Sequence, residues 1–124
     1  MRVRYFDWDA EQCQRRIEFL QAAGHTVDSR PISADSLREL RADPPSAVVI
    51  GLDRRPSQGR DIGLWLRKTK ATRGVPLVFA GGEPEKVLSI RQHLPDAVYT
   101  AWEQLASALE EAIANQPARP VVQA

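Results

Sequence analysis

Cysteine is almost absent from this chain. Cys13 is the one example in 124 residues, which excludes an internal disulfide framework and any cysteine-based metal centre. The two histidines, His25 and His93, fall in different expected elements, with no Cys or paired carboxylate at ligand spacing, so a His-built metal site is not expected either. No apolar run approaches the ~20 residues needed to span a bilayer, and the opening Met1-Arg2-Val3-Arg4-Tyr5-Phe6 lacks the long apolar core and small-residue cleavage site of a secretory leader. A cytoplasmic protein that does not engage membranes is the expectation. A P-loop string, a G-x-G-x-x-G string and a Ser/His/Asp arrangement are all missing. Nucleic-acid binding would call for a more basic domain than one of net charge +1.

What is present is an ordinary globular composition, 43% hydrophobic and 27% charged, at a length typical of one domain. The charge is unevenly placed. Residues 54–73 carry seven cations against Asp61 alone, a balance of +6, whereas residues 83–115 carry six acids against Lys86 and Arg91, a balance of −4. Such clusters are either solvated helix faces or a means of steering a charged partner.

Apolar spacing switches repeatedly between the strand and helix periods. Val3, Tyr5 and Phe6 predict a first strand ending near Asp7. Ala10, Cys13, Ile17 and Leu20 predict a helix over 10–23, with Asp9 placed to cap it and Gly24 to end it. A weaker strand over Thr26 to Ile32 suits a sheet edge, because Pro31 removes a ladder donor. Ser33 caps a short helix that Pro44-Pro45 terminates. The apolar run Ala47 to Leu52 reads as a central parallel strand covered on both faces. A helix follows with Ile62, Trp65 and Leu66 inward. Val75 to Ala80 is a further buried strand, closed by Gly81-Gly82, and Pro84 opens the next helix. Ala97 to Tyr99 makes a fifth strand. Thr100 to Glu103 fits a capping box ahead of a last amphipathic helix running to Asn115. Residues 116–124 hold two prolines and no periodicity, and are expected to form a flexible tail.

Five strands alternating with five helices predict a single α/β domain over 1–115, with a flavodoxin-like (βα)5 fold. Its parallel five-stranded sheet would have the order 2-1-3-4-5, with helices on both faces. Sites in such folds lie beyond the carboxyl ends of the strands where the order reverses, here Asp7 to Asp9 and Leu52 to Gly59.

A first strand ending in acid, a first helix ending Ala22-Ala23-Gly24, an apolar third strand ending near an aspartate and then a proline, and Val75-Pro76-Leu77-Val78 together resemble the receiver domain of bacterial response regulators. The resemblance covers about residues 1–115. It implies a phosphoacceptor aspartate ending strand three, acids ending strand one that hold Mg2+, a Ser/Thr ending strand four and a lysine ending strand five.

Matched position by position, the acids fall on Asp7 and Trp8, with Asp9 one residue on. Asp9 either replaces the missing metal ligand or only caps the following helix. Asp53 is the candidate phosphoacceptor, yet counting back from Pro56 puts Leu52 in that place, and a one-residue slip within a strand turns a side chain to the other face. Asp53 is then expected to point elsewhere, pairing with Arg54 or Arg55. The hydroxyl position falls on Gly81 and the lysine position on Ala101, or on Thr100 or Trp102 under small shifts.

The expected function is a degenerate receiver-like domain: a non-enzymatic, unphosphorylated protein-interaction module in bacterial signal transduction, without a cofactor. The partner is not specified. One alternative is a phosphorylatable receiver using Asp53, with Mg2+ held by Asp7 and Asp9. Another is a small-ligand or nucleotide binder at the carboxyl ends of the strands, with Gly81-Gly82 cradling an anion. The resemblance further implies a partner-binding or homodimer face made by helix four, strand five and helix five, including Glu85, Arg91, Tyr99, Glu103 and Glu110.

Overall fold

The computed structural model describes residues 1–115, so the expected tail at 116–124 lies outside the described residues. Five strands, β1 (Arg2–Phe6), β2 (Thr26–Asp28), β3 (Ala47–Gly51), β4 (Leu77–Ala80) and β5 (Val98–Thr100), alternate with the helices α1 (Ala10–Ala22), α2 (Ala34–Ala42), α3 (Pro56–Lys68), α4 (Pro84–His93) and α5 (Leu105–Ala114). All pairings are parallel and the order is 2-1-3-4-5, as expected.

The alternation of side chains along each strand splits the core into two layers. On one face Phe6, Val48, Ile50, Leu77 and Phe79 pack with Leu40, Ile62, Leu66 and Ile90 from α2, α3 and α4. On the other, Val3, Tyr5, Val49 and Val78 pack with Leu20 of α1 and with Leu105 and Leu109 of α5. Every residue of β3 is buried, which is why its sequence is apolar without a break. No helix among the described residues is long and apolar enough to cross a membrane.

Helix ends follow their sequence signals at three places. Asp9 caps α1 through the amides of Glu11 and Gln12. Ser33 and Ser36 form a reciprocal capping box at α2. Pro84 occupies the first turn of α4.

Two expectations fail. The second strand stops at Asp28 and not at Ile32, because the Asp28 carboxylate accepts the Arg30 amide at 3.2 Å and turns the chain out of the ladder. That carboxylate also takes Nη1 of Arg4 at 2.7 Å, a guanidinium buried on β1 over the Phe6 ring. No capping box forms at Thr100 either. That residue is still paired in β5, opposite Ala80, so a 3-10 turn over Trp102–Gln104, with Ala101 as its cap, leads into α5.

Candidate functional site

The carboxyl ends of β1, β3, β4 and β5 converge on one small polar pocket, and an arginine from α1 lies at its centre. Asp7 follows β1 and its side chain has 0% exposure. It accepts hydrogen bonds from the Tyr5 hydroxyl and, at 3.1 Å, from the Asp9 amide. Its carboxylate lies so close over β3 that a Cβ on Gly51 would fall 2.7 Å from Oδ1; the end of β3 must be glycine for Asp7 to lie there.

A buried carboxylate needs a counter-charge, and Arg16 supplies it. Arg16 sits two turns into α1, seven residues after the Asp9 cap, a spacing that returns a side chain to the same face of a helix. Its Nη1 donates to Asp7 Oδ2 at 2.7 Å and its Nη2 to Asp53 Oδ2 at 3.1 Å. The guanidinium lies flat against Trp102, with its central carbon 3.6 Å from the ring centroid, a cation–π contact. Arg16 is 14% exposed. Desolvation opposes its charge, but the hydrogen bond and proximity of Asp7 outweigh it and raise its pKa above the usual arginine value.

Asp53 is 31% exposed and is held on three sides. The Gly82 amide donates to Oδ1 at 2.8 Å and the Trp102 indole N–H donates to Oδ2 at 2.7 Å, beside the Arg16 contact. Partial burial disfavours its charge; the Gly82 amide, the Trp102 indole and Arg16 more than offset this and hold the carboxyl below its usual pKa. The expectation that Asp53 points away and pairs with Arg54 or Arg55 is therefore corrected. β3 ends at Gly51, so Asp53 lies beyond the ladder, where strand alternation no longer fixes which way a side chain turns. Arg54 pairs instead with Asp9, at 3.6 Å.

The remaining matched positions are accounted for by the same packing. Trp8 is half-buried against the α2–α3 core layer. Gly81 and Gly82 have φ of +74° and +93°, values natural to glycine. A Cβ on Gly81 would collide with the Trp102 indole and lie 2.5 Å from Asp53 Oδ1. The space that a side chain at position 81 would need is thus taken by Trp102. Ala101 is exposed, and its neighbour Trp102 is the residue that enters the pocket. Arg16 does not stand out as a site residue in sequence, and Trp102 enters there only as a shifted alternative for the lysine position. The available signal was a cation on the sheet-facing side of α1, among Cys13, Ile17 and Leu20.

Asp7 and Asp53 commit both oxygens to protein donors, whereas Asp9 accepts hydrogen bonds through Oδ1 and faces two cations with Oδ2. Asp9 Oδ1 caps α1 at 3.2 and 3.3 Å, and Asp9 Oδ2 faces Arg54 and Arg16 at 3.6 and 4.0 Å. Asp7 and Asp53 are engaged as described above. Among the described residues no three His, Cys, Asp or Glu side chains converge as metal ligands. A magnesium ion requires near-octahedral oxygen ligands about 2.0–2.1 Å away; this donor set, filled by a guanidinium, does not fit one. The Gly81-Gly82 turn does not offer free amides to an anion either, because Gly81 N–H donates to the Thr100 carbonyl at 3.0 Å and Gly82 N–H to Asp53.

Beside the pocket, Tyr99 stacks on Phe79 with centroids 5.2 Å apart and donates its hydroxyl to the Leu94 carbonyl at 2.8 Å. Arg91 lies 5.0 Å over its ring. Burial, ahead of the nearby charges, raises the phenol pKa to about 12. Glu85, Glu103 and Glu110 are exposed and make no ion pair among the described residues. In the basic segment Arg67 reaches Asp96 at 3.3 Å, so part of the charge asymmetry is neutralised internally.

No family model matches the sequence, and no curated protein does. Solved structures do. A sensor protein from Polaromonas sp. JS666 superposes with a TM-score of 0.76 at 20% identity, covering 94% of this chain and 98% of that one. A response regulator receiver domain protein from Clostridium thermocellum gives 0.72 at 18%, covering 91% and 94%. A response regulator receiver domain from Rhodospirillum rubrum gives 0.64 at 16%, covering 91% of each. The chain has the fold of the response regulator receiver domains.

Proposed function

We propose that this chain is a degenerate member of the receiver family, acting as a protein-interaction module in bacterial signal transduction and not as a phosphorylated switch or an enzyme. The fold supports the family assignment. The degenerate reading is carried by one observation: both oxygens of Asp53 are already engaged, by the Gly82 amide on one side and by the Trp102 indole and Arg16 on the other. Phosphoryl transfer to a carboxylate needs a free nucleophilic oxygen and positive groups around the transferred oxygens. In this chain the strand-four position is Gly81 and the strand-five position is Ala101.

A second reading, a phosphorylatable receiver, draws support from the arrival of Asp53 in the same pocket as Asp7 and Asp9. It would require Arg16 and Trp102 to leave together. Exposure to acetyl phosphate or beryllofluoride with magnesium separates the two. The expected result is an unchanged intact mass and unchanged tryptophan emission. Stoichiometric modification that disappears in Asp53→Asn refutes the degenerate reading.

The partner surface in this proposal is the α4–β5–α5 face with Glu85, Arg91, Tyr99, Glu103 and Glu110, acting in the cytoplasm. A second copy is one occupant of matching charge. Arg55, Lys68, Lys70 and Arg73 are exposed and without ion pairs among the described residues, and would complement the acidic face.

A further inference from the structure

We propose that Arg16 is the resident cation of this pocket: it serves permanently as the counter-ion that would otherwise have to be recruited from solution, and it latches the ends of β1 and β3 to the turn before α5 without a metal ion. The inference concerns the same pocket as the proposed function and deepens it.

Three features carry it. Asp7 is wholly enclosed, and Arg16 is the cation paired with it among the described residues. One planar guanidinium spans two carboxylates from different strands, Asp7 and Asp53, a task for which its fork of donors is suited and a single ammonium is not. Its flat face is covered by Trp102, whose own N–H returns to Asp53, so Arg16, Asp53 and Trp102 close a ring to which Asp7 is tied through Arg16. A guanidinium does not lose its proton in proteins, and its tether to α1 keeps it at the site at any metal concentration. The latch is therefore constitutive.

Removing the charge should leave three carboxylates without their shared counter-ion, and the vacated site should then respond to a cation. The experiment is a thermal melt of the full chain, followed by circular dichroism, with magnesium chloride or with chelator. For the wild type the expected melting temperature is the same in both. Arg16→Met keeps an unbranched apolar stem on α1 and removes the guanidinium that lies on Trp102. It should melt lower in chelator, then rise by about 6 °C once magnesium exceeds its dissociation constant about tenfold. Arg16→Met combined with Asp53→Asn should lose most of that rise. Terbium luminescence sensitised by Trp102 should appear in Arg16→Met and be absent in the wild type.

A wild type stabilised by magnesium as much as the variant overturns the inference. So does an Arg16→Met protein that melts like the wild type or ignores magnesium. Should Arg16→Met not fold with or without magnesium, Arg16→Lys replaces it, with a lower melting temperature and a smaller magnesium rise expected; no rise there is equally fatal. Phosphorylation of the wild type overturns the proposed function, whereas a magnesium-responsive wild type that takes no phosphoryl group overturns only this inference.

Discussion

Replacing Trp102 with phenylalanine isolates one arm of the latch. Phenylalanine keeps a ring for Arg16 to lie on but removes the indole N–H that donates to Asp53 Oδ2 at 2.7 Å. A hydrogen bond to a charged acceptor contributes about 1.5–3 kcal/mol. Asp53 is 31% exposed, so water can take the vacated position and the loss should fall toward the lower end. The weaker quadrupole of phenylalanine subtracts a few tenths more from the contact with Arg16. Together the loss should be about 1–2 kcal/mol, or roughly 4–8 °C in melting temperature for a domain of this size.

The same perturbation has a pH signature. A carboxylate whose folded pKa is depressed adds stability that is fully present above its unfolded value of about 3.9 and is lost as pH falls through the folded value. Asp53 is depressed in this way, partly by Trp102. Urea titrations between neutral pH and pH 3 should show the wild type losing this increment at the acid end, Trp102→Phe losing less, and Asp53→Asn losing none of it. In a double-mutant cycle the two substitutions should couple by at least about 0.5 kcal/mol. Strictly additive losses, or a Trp102→Phe protein as stable as the wild type at neutral pH, would refute the reasoning.

Further expectations concern the walls of the pocket and the charged faces. Gly51→Ala forces a Cβ against the enclosed Asp7 carboxylate, and this overpacking should cost about 1–3 kcal/mol in chemical denaturation; an unchanged midpoint would show that Asp7 can move. If the acidic and basic faces pair two copies, sedimentation should detect a dimer at low ionic strength that dissociates as salt screens charges beyond a Debye length of about 10 Å at 0.1 M. A monomer in concentrated, low-salt solution, unaltered by Arg91→Glu or Glu103→Arg, would exclude that partner.

The succession of strands and helices was legible in the residues, because it depends on near-neighbour periods and on caps such as Asp9, Ser33 and Pro84. The sheet order followed from the continuous burial of β3 and the weak, proline-flanked β2. Less legible was anything governed by how two elements meet. The spacing from Asp53 to Pro56 argued for a slipped acceptor, yet the change in length lies in a loop after Gly51, where the chain can restore a side chain's direction. Trp102 read only as a shifted alternative for the lysine position, since nothing local distinguishes packing from donation by an indole. Arg16 was the clearest miss: a cation set among Cys13, Ile17 and Leu20 breaks an apolar stripe, and a broken stripe marks a charge that must find a partner.

Sequence by itself thus determined the architecture and the presence of acids where β1 and β3 end, since backbone hydrogen bonding and apolar burial are decided by residue type along the chain. Tertiary structure alone decided what those acids face. The rotation of α1 about its axis, set by its cap at Asp9 and by Leu20 in the core, brings a guanidinium over Asp7 and Asp53. The absence of a side chain at Gly81 leaves the opening through which Trp102 reaches Arg16 and Asp53.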